Sequence, residues 1–197
     1  MNPLFFVFSA PSGAGKTTLV RFIQSLFPDF KFSVSYTSRP PRAHEKDGHD
    51  YFFVSESDFR NKINEGFFVE WEEVYPGHFY GTPLHPVLDS LESGIPMLFD
   101  LDVRGGLAFK KAFPDQTKAL FVGVSDISVL EMRLRRRQTE SETKIRMRLD
   151  KARAEMAEAV FFDTVIPNDD LKVAQEALLD LFQKAGYQPQ STSFQHD

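Results

Sequence analysis

The residues best suited to chemistry lie at positions 9–18, Ser-Ala-Pro-Ser-Gly-Ala-Gly-Lys-Thr-Thr. A loop of small residues lets backbone N–H groups turn inward and approach phosphate oxygens, and a helix starting directly behind it adds unpaired first-turn N–H groups and the positive end of its dipole. Lys16 is long enough to reach the outer phosphates of a nucleotide, and Thr17 offers a hydroxyl where a nucleotide-bound Mg²⁺ needs an oxygen ligand. The spacing follows G-x-x-x-x-G-K-[ST] except that Ala10 stands at the first glycine. An apolar run at 4–8 precedes the loop, and Leu19, Val20, Phe22, Ile23, Leu26 and Phe27 follow it on one helical face. Strand, loop and helix therefore come in the order a phosphate cradle requires. Ala10, Pro11, Ser12, Gly13, Ala14, Gly15, Lys16, Thr17 and Thr18 are the candidate contacts.

A second constellation surrounds Arg39-Pro40-Pro41-Arg42. Two planar guanidiniums on a stiff spacer, with a tyrosine hydroxyl nearby, suit a compact phosphate dianion, because each fork can donate two parallel hydrogen bonds. Asp100 and Asp102 end a buried-strand pattern, where ligands gather in open α/β sheets. Between Glu131 and Arg153 nine Lys or Arg face four acids, a run that is a solvated helix face or, beside a bound phosphate, a clamp.

These groups need a scaffold, and the pattern supplies one. Strands are expected at 4–8, 30–35, 67–74, 96–102, 117–124 and 164–166. Helices are expected after the phosphate loop, from a cap at Ser55 to about Glu65, from Pro83 to Gly94, over 105–113, into Arg137, from Ser141 to about Val160, and behind a cap at Asn168 and Asp169. Strands alternating with helices give an α/β domain with a mostly parallel sheet. The polar tail from Gln188 is expected to fray.

Composition narrows the setting. At 197 residues, 42% hydrophobic and 26% charged, the chain suits one compact core. Twenty-one Phe against one Trp point to an aromatic-rich core rather than a base-stacking platform. A net charge of −5 argues against a general nucleic-acid binder, and the absence of cysteine excludes disulfides and thiolate metal sites. No apolar run is long enough to span a bilayer and no basic leader is present, so a cytoplasmic protein with no membrane partner is expected.

The order of pieces resembles the guanylate kinase family over nearly the whole chain. The loop has the Ser-Ala-Pro-Ser-Gly-Ala-Gly-Lys form common among bacterial members. Ser-x-x-x-Arg-x-x-Arg from Ser35, Gly-x-Asp-Tyr at 48–51 and Phe-x-Glu-Trp at 68–71 are all kept. The resemblance implies a P-loop NTPase fold: a mostly parallel sheet flanked by helices, with an inserted GMP-binding region and a helical lid. It divides one domain into a core (about 1–34, 86–126 and 160–197), the GMP-binding region (about 35–85) and the lid (about 127–159).

The implied reaction is transfer of the γ-phosphoryl of ATP to GMP, with Mg²⁺ carried on the nucleotide, and dGMP as a further acceptor. Arg39, Arg42, Tyr51 and Tyr80 would hold the GMP phosphate, while Ser35, Glu70, Gly81 and Thr82 would surround guanine. Asp102, with Asp100, would face GMP and its water and metal. Lys16, Arg133, Arg137 and Arg148 would meet the ATP phosphates, and Asn168 would touch adenine. Scaffold relatives that bind phosphopeptides generally lose the phosphate loop, which Lys16 and Thr17 retain. Local departures are Arg136 and Gln138 where the family's lid has glycines, and Gly106 in a turn that usually reads Asp-x-x-Gly-Ala.

Overall fold

The structure is a computed structural model that describes residues 3–136 and 141–190. Its core is a five-stranded parallel sheet in the order β2 (Lys31–Phe32), β7 (Met97–Asp100), β1 (Phe5–Ser9), β8 (Thr117–Gly123) and β9 (Thr164–Pro167). Every residue of β1 is buried, as a central strand with helices on both faces requires. Successive side chains of a strand point to opposite faces, so Phe5 and Phe6 enter different halves of the core. Phe6 stacks on Phe182 at 4.2 Å, while Phe5 meets Phe99, Phe109 and Phe113 edge-on at 5.5–5.7 Å. The phenylalanine excess is core packing, as its spacing predicts.

Helices α1 (Lys16–Leu26) and α7 (Leu171–Lys184) cover the Phe6 face, and α4 (Val103–Ala112) covers the Phe5 face. Two helix starts differ from expectation. Helix α4 begins at Val103, two residues early, because the Asp102 carboxylate accepts from the Gly105 N–H at 2.7 Å and caps it. Helix α7 is capped by Asp170, whose Oδ1 accepts from the N–H groups of Lys172 (2.8 Å) and Val173 (3.1 Å). Asn168 and Asp169, the expected caps, are engaged elsewhere.

The strand expected over 30–35 is only two residues long. After the Ser33 N–H donates to the Leu98 carbonyl at 2.9 Å the chain leaves the parallel sheet. It builds a second sheet, ordered β4 (Phe52–Phe53), β3 (Tyr36–Thr37), β6 (His78–Pro83) and β5 (Phe68–Tyr75). Strands β5 and β6 form an antiparallel hairpin whose register shifts between Phe68 and Glu70. Helix α2 (Glu56–Asn64), capped by Ser55, backs this sheet with Phe59, which stacks on Phe68 at 4.5 Å and on Phe79 at 5.5 Å. Helix α3 (Leu84–Ser93) then returns the chain to β7.

Helices α5 (Ile127–Arg136) and α6 (Glu142–Ala157) carry the basic run. Part of that run is a solvated face: Arg135 pairs with Glu131 at 2.9 Å and with Glu142 at 2.6 Å. Arg137 and Gln138 lie outside the described residues.

Candidate active site

The phosphate loop is shaped by two glycines in the left-handed region, Gly13 at φ 93° and Gly15 at φ 91°. A side chain at Gly15 would also place its Cβ 2.5 Å from Asn168 Nδ2. Gly15 precedes α1 with no side-chain cap and no acid in the first turn, which leaves the helix N–H groups and dipole for an anion. The loop is held from behind: Asn168 Nδ2 donates to the Ala14 carbonyl at 2.6 Å, and Arg133 donates to the carbonyls of Asn168 (2.7 Å), Asp169 (3.2 Å) and Ala14 (3.5 Å). Asn168 is buried beneath the loop, and Arg133 is bound to backbone carbonyls.

Ahead of the loop lies a cavity of about 350 Å³, lined by Ala10, Pro11, Ser12, Gly13, Gly15, Lys16, Thr17 and Thr18. Asp102, Tyr75, Arg148, Lys151 and Glu155 complete it. Arg148 donates to Ser12 Oγ at 3.3 Å, so α6 brings this cation to the loop. Lys16 Nζ pairs with Asp100 at 2.5 Å and donates to the Leu101 carbonyl. Thr17 Oγ1 lies 3.4 Å from the other Asp100 oxygen. Ala10 is almost buried, and Ala14 points into the core.

A second cavity, of about 200 Å³, collects Ser35, Tyr51, Glu70, Tyr80, Gly81, Asp100 and Asp102 around Lys16. Glu70 and Thr82 are cross-strand partners in the β5–β6 hairpin, and the Thr82 hydroxyl donates to Glu70 Oε1 at 2.5 Å. Gly81 has no room for a side chain, since its Cβ would stand 3.0 Å from both the Phe59 and Phe68 rings. Burial pushes the Glu70 carboxyl up to about 7, with the charges of Asp102 and Glu72 adding to it and the Thr82 hydrogen bond opposing it. Burial likewise raises Tyr51 to about 12, which keeps the phenol protonated and able to donate. Arg42 opens onto an adjoining cavity that it shares with Ser35, Tyr51 and Asp100.

Glu45 and Glu72 escaped the sequence reading. The Glu45 carboxylate accepts from both terminal nitrogens of Arg39 at 2.6 Å, while Arg39 Nε donates to Tyr80 Oη at 3.0 Å. Glu72 lies two residues beyond Glu70, on the same face of β5, and lines the same cavity. Burial first, then Asp102, raises it to about 7, against the pull of Arg104, whose Nη1 lies 3.3 Å away. The period of two from Glu70 was the available signal.

Comparison with known proteins agrees with this geometry. A family model described as guanylate kinase matches residues 2–185. A guanylate kinase of Chlorobium luteolum is 44% identical over 173 residues, covering 88% of this chain and 87% of that protein. One of Syntrophus aciditrophicus is 46% identical over 180 residues, covering 91% and 85%. The crystal structure of the Anaplasma phagocytophilum guanylate kinase superposes with a TM-score of 0.73 at 26% identity, over 92% of this chain and 85% of that one. A phosphate loop facing a buried carboxylate pocket, a sheet of this topology and a family model matched over nearly the full length lead to one conclusion: the chain belongs to the guanylate kinase family.

Proposed function

We propose that the chain transfers the γ-phosphoryl group of ATP to GMP, giving ADP and GDP, with the triphosphate on the loop and GMP in the smaller cavity. The observation that carries this is the shared wall between the two cavities. Lys16 and Asp102 line both, so a donor and an acceptor seated in them would meet at Lys16. In this reading Glu70 accepts from the guanine N1–H and N2–H₂ together, a pair of donors that adenine lacks. Ser35, Gly81 and Thr82 shape that base pocket. Arg39, Arg42, Tyr51 and Tyr80 hold the acceptor phosphate, and Asp102 lies between the two nucleotides.

Phosphoryl transfer leaves little covalent work for a protein, so positioning and charge stabilisation dominate. An oxygen of the GMP phosphate attacks the γ-phosphorus, and the bond to the bridging β–γ oxygen breaks, its electron pair leaving on ADP. The attacking oxygen is already anionic and needs no general base. Lys16 exchanges Asp100 for the travelling phosphoryl. Arg148 reaches the same group from the lid beside Ser12, and we place Arg137 there by its match to the family's lid arginines. Arg133 and Asn168 act on ATP through the loop they support. Thr17 Oγ1 and Asp100 are hard oxygen donors a few ångströms apart at the mouth of the loop, which suits an Mg²⁺ that takes its other ligands from phosphates and water. When bound, the ion neutralises phosphate charge.

We keep the division into core, acceptor region and lid, a reading that the two sheets and the α5–α6 pair support. We extend the acceptor range to dGMP, whose guanine and phosphate offer these residues the same groups as GMP. We place the reaction in the cytoplasm and in guanine nucleotide synthesis, where both substrates occur. Among the described residues no helix is long and apolar enough to cross a membrane.

The test is ADP formation from ATP and Mg²⁺ with and without GMP, beside Glu70→Ala and a panel of AMP and UMP. GMP-dependent ADP that falls at least about a hundredfold in kcat/KM in the variant supports the assignment, as expected for a buried polar reader left unmatched. GMP-dependent turnover that survives Glu70→Ala unchanged removes Glu70 from base recognition.

A further inference from the structure

We propose that Glu45 is a positioning residue for the acceptor phosphate: it stays bound to Arg39 when GMP enters, and fixes the edge that Arg39 presents. The inference rests on the reading that Arg39 and Arg42 hold that phosphate. Its ground is the number of donors Arg39 has left. Nε is bound to Tyr80 Oη, one Nη1–H to the Pro40 carbonyl at 3.0 Å, and the Glu45 carboxylate takes one N–H from each terminal nitrogen at 2.6 Å. A single Nη2–H remains.

Two features argue that Glu45 is fixed rather than waiting to be displaced. Its carboxylate also accepts from the Arg42 N–H at 2.8 Å, and its own N–H returns a bond to the Arg42 carbonyl at 3.0 Å, so the turn that carries it is closed on both sides. Its side chain is only 7% exposed and that of Arg39 only 9%, so expelling the carboxylate would strand a buried charge. The rings of Tyr51 and Phe53 stand 5.0 and 5.6 Å from the Arg39 guanidinium carbon and restrict it further.

Recognition of the phosphate is therefore unequal. The Arg39–Glu45 pair carries no net charge and keeps one N–H; Glu45 lines the cavity onto which Arg42 opens, and Arg39 stands behind it. By accepting from Arg39 Nε, Tyr80 Oη leaves its own hydroxyl proton for the ligand. Arg42, whose side chain is 63% exposed and whose Nη1 lies 3.9 Å from Glu45 Oε1, makes the three-residue group net positive.

Glu45→Ala and the near-isosteric Glu45→Gln separate this from a structural role. Dissociation constants for GMP, guanosine and ATP are measured by calorimetry on the full chain, with Arg42→Ala in parallel. Glu45→Ala is expected to weaken GMP about tenfold and Glu45→Gln less, while guanosine, which lacks the phosphate, and ATP stay within about twofold. Unchanged or tighter GMP binding in both variants overturns the inference, tighter binding marking Glu45 as a competitor of the phosphate. Parallel loss of guanosine also overturns it, by making Glu45 a support of the whole region. If Glu45→Ala is inert while Arg42→Ala weakens GMP, the inference alone fails; if Arg42→Ala is inert too, the placement of the phosphate fails with it.

Discussion

At the scale of the residue, Glu70 makes the site sensitive to pH near neutrality. Its folded value of about 7 lies above the ordinary 4.5 because burial penalises the carboxylate. A carboxyl raised on folding adds stability that is present in full below its unfolded value and is lost as pH rises through about 7. Guanine needs the opposite form, since the base presents donors and the carboxylate must accept. The nucleotide-free protein is therefore expected to melt several degrees lower at pH 8 than at pH 6, while GMP binds about tenfold more tightly at pH 8. Melting scans and titrations across that range check both slopes. Glu70→Gln should flatten its share of each and leave the parts due to Glu72 and to the GMP phosphate. Glu70 was legible because it sits inside a recognisable Phe-x-Glu-Trp stretch. Glu45 was not, because a charged residue in an ordinary polar sequence acquires meaning only from its partner, here Arg39 across a turn; for Glu72 the period of two from Glu70 gave the face, and only the fold sets Asp102 across the cavity from it.

At the scale of the element, the phosphate loop shows what a linear reading can and cannot supply. Its glycines and lysine are visible because backbone geometry demands those residue types locally. What holds the loop is not visible. Asn168, Asp169 and Asp170 are three consecutive residues of capping type, and nothing local distinguishes them. Tertiary contacts decide: Asn168 goes to the Ala14 carbonyl, Asp169 accepts from the Ser125 N–H and hydroxyl, and Asp170 is left to cap α7. Helix α4 repeats the lesson, for Gly105 read as its first residue but lies two residues inside it. A Cβ at Gly106 would fall 2.3 Å from Ser9 Oγ, so the glycine lets α4 close onto β1. Asn168→Ala removes the strut beneath the loop. It is expected to cost about 1–2 kcal/mol of stability and to weaken ATP about tenfold, with GMP unaffected, as melting curves and separate titrations would show.

At the scale of the molecule, the proposed function gives the two substrates to two sheets, one parallel, the other mostly antiparallel and backed by α2. The alternation of strands and helices announced the first. The second was legible only in pieces, as separate extended stretches at 51–54, 67–74 and 77–83, because β3 is two residues long and no period tells which pieces pair. The second sheet leaves the first after β2 and comes back through α3 to β7, and β2 and β7 are hydrogen-bonded neighbours. The strands that flank the excursion and α3 are thus one strand spacing apart, and the crossover that remains without the excursion is an ordinary strand-helix-strand unit. Replacing residues 34–83 with a short glycine-rich link is therefore expected to leave a cooperatively melting chain that still binds ATP within about tenfold but no longer binds GMP. A chain that fails to melt cooperatively would mean that the parallel sheet depends on its guest. If it folds, the acceptor module is portable, and a new phosphate acceptor could be installed by transplanting one contiguous segment while the engine that handles ATP is left alone.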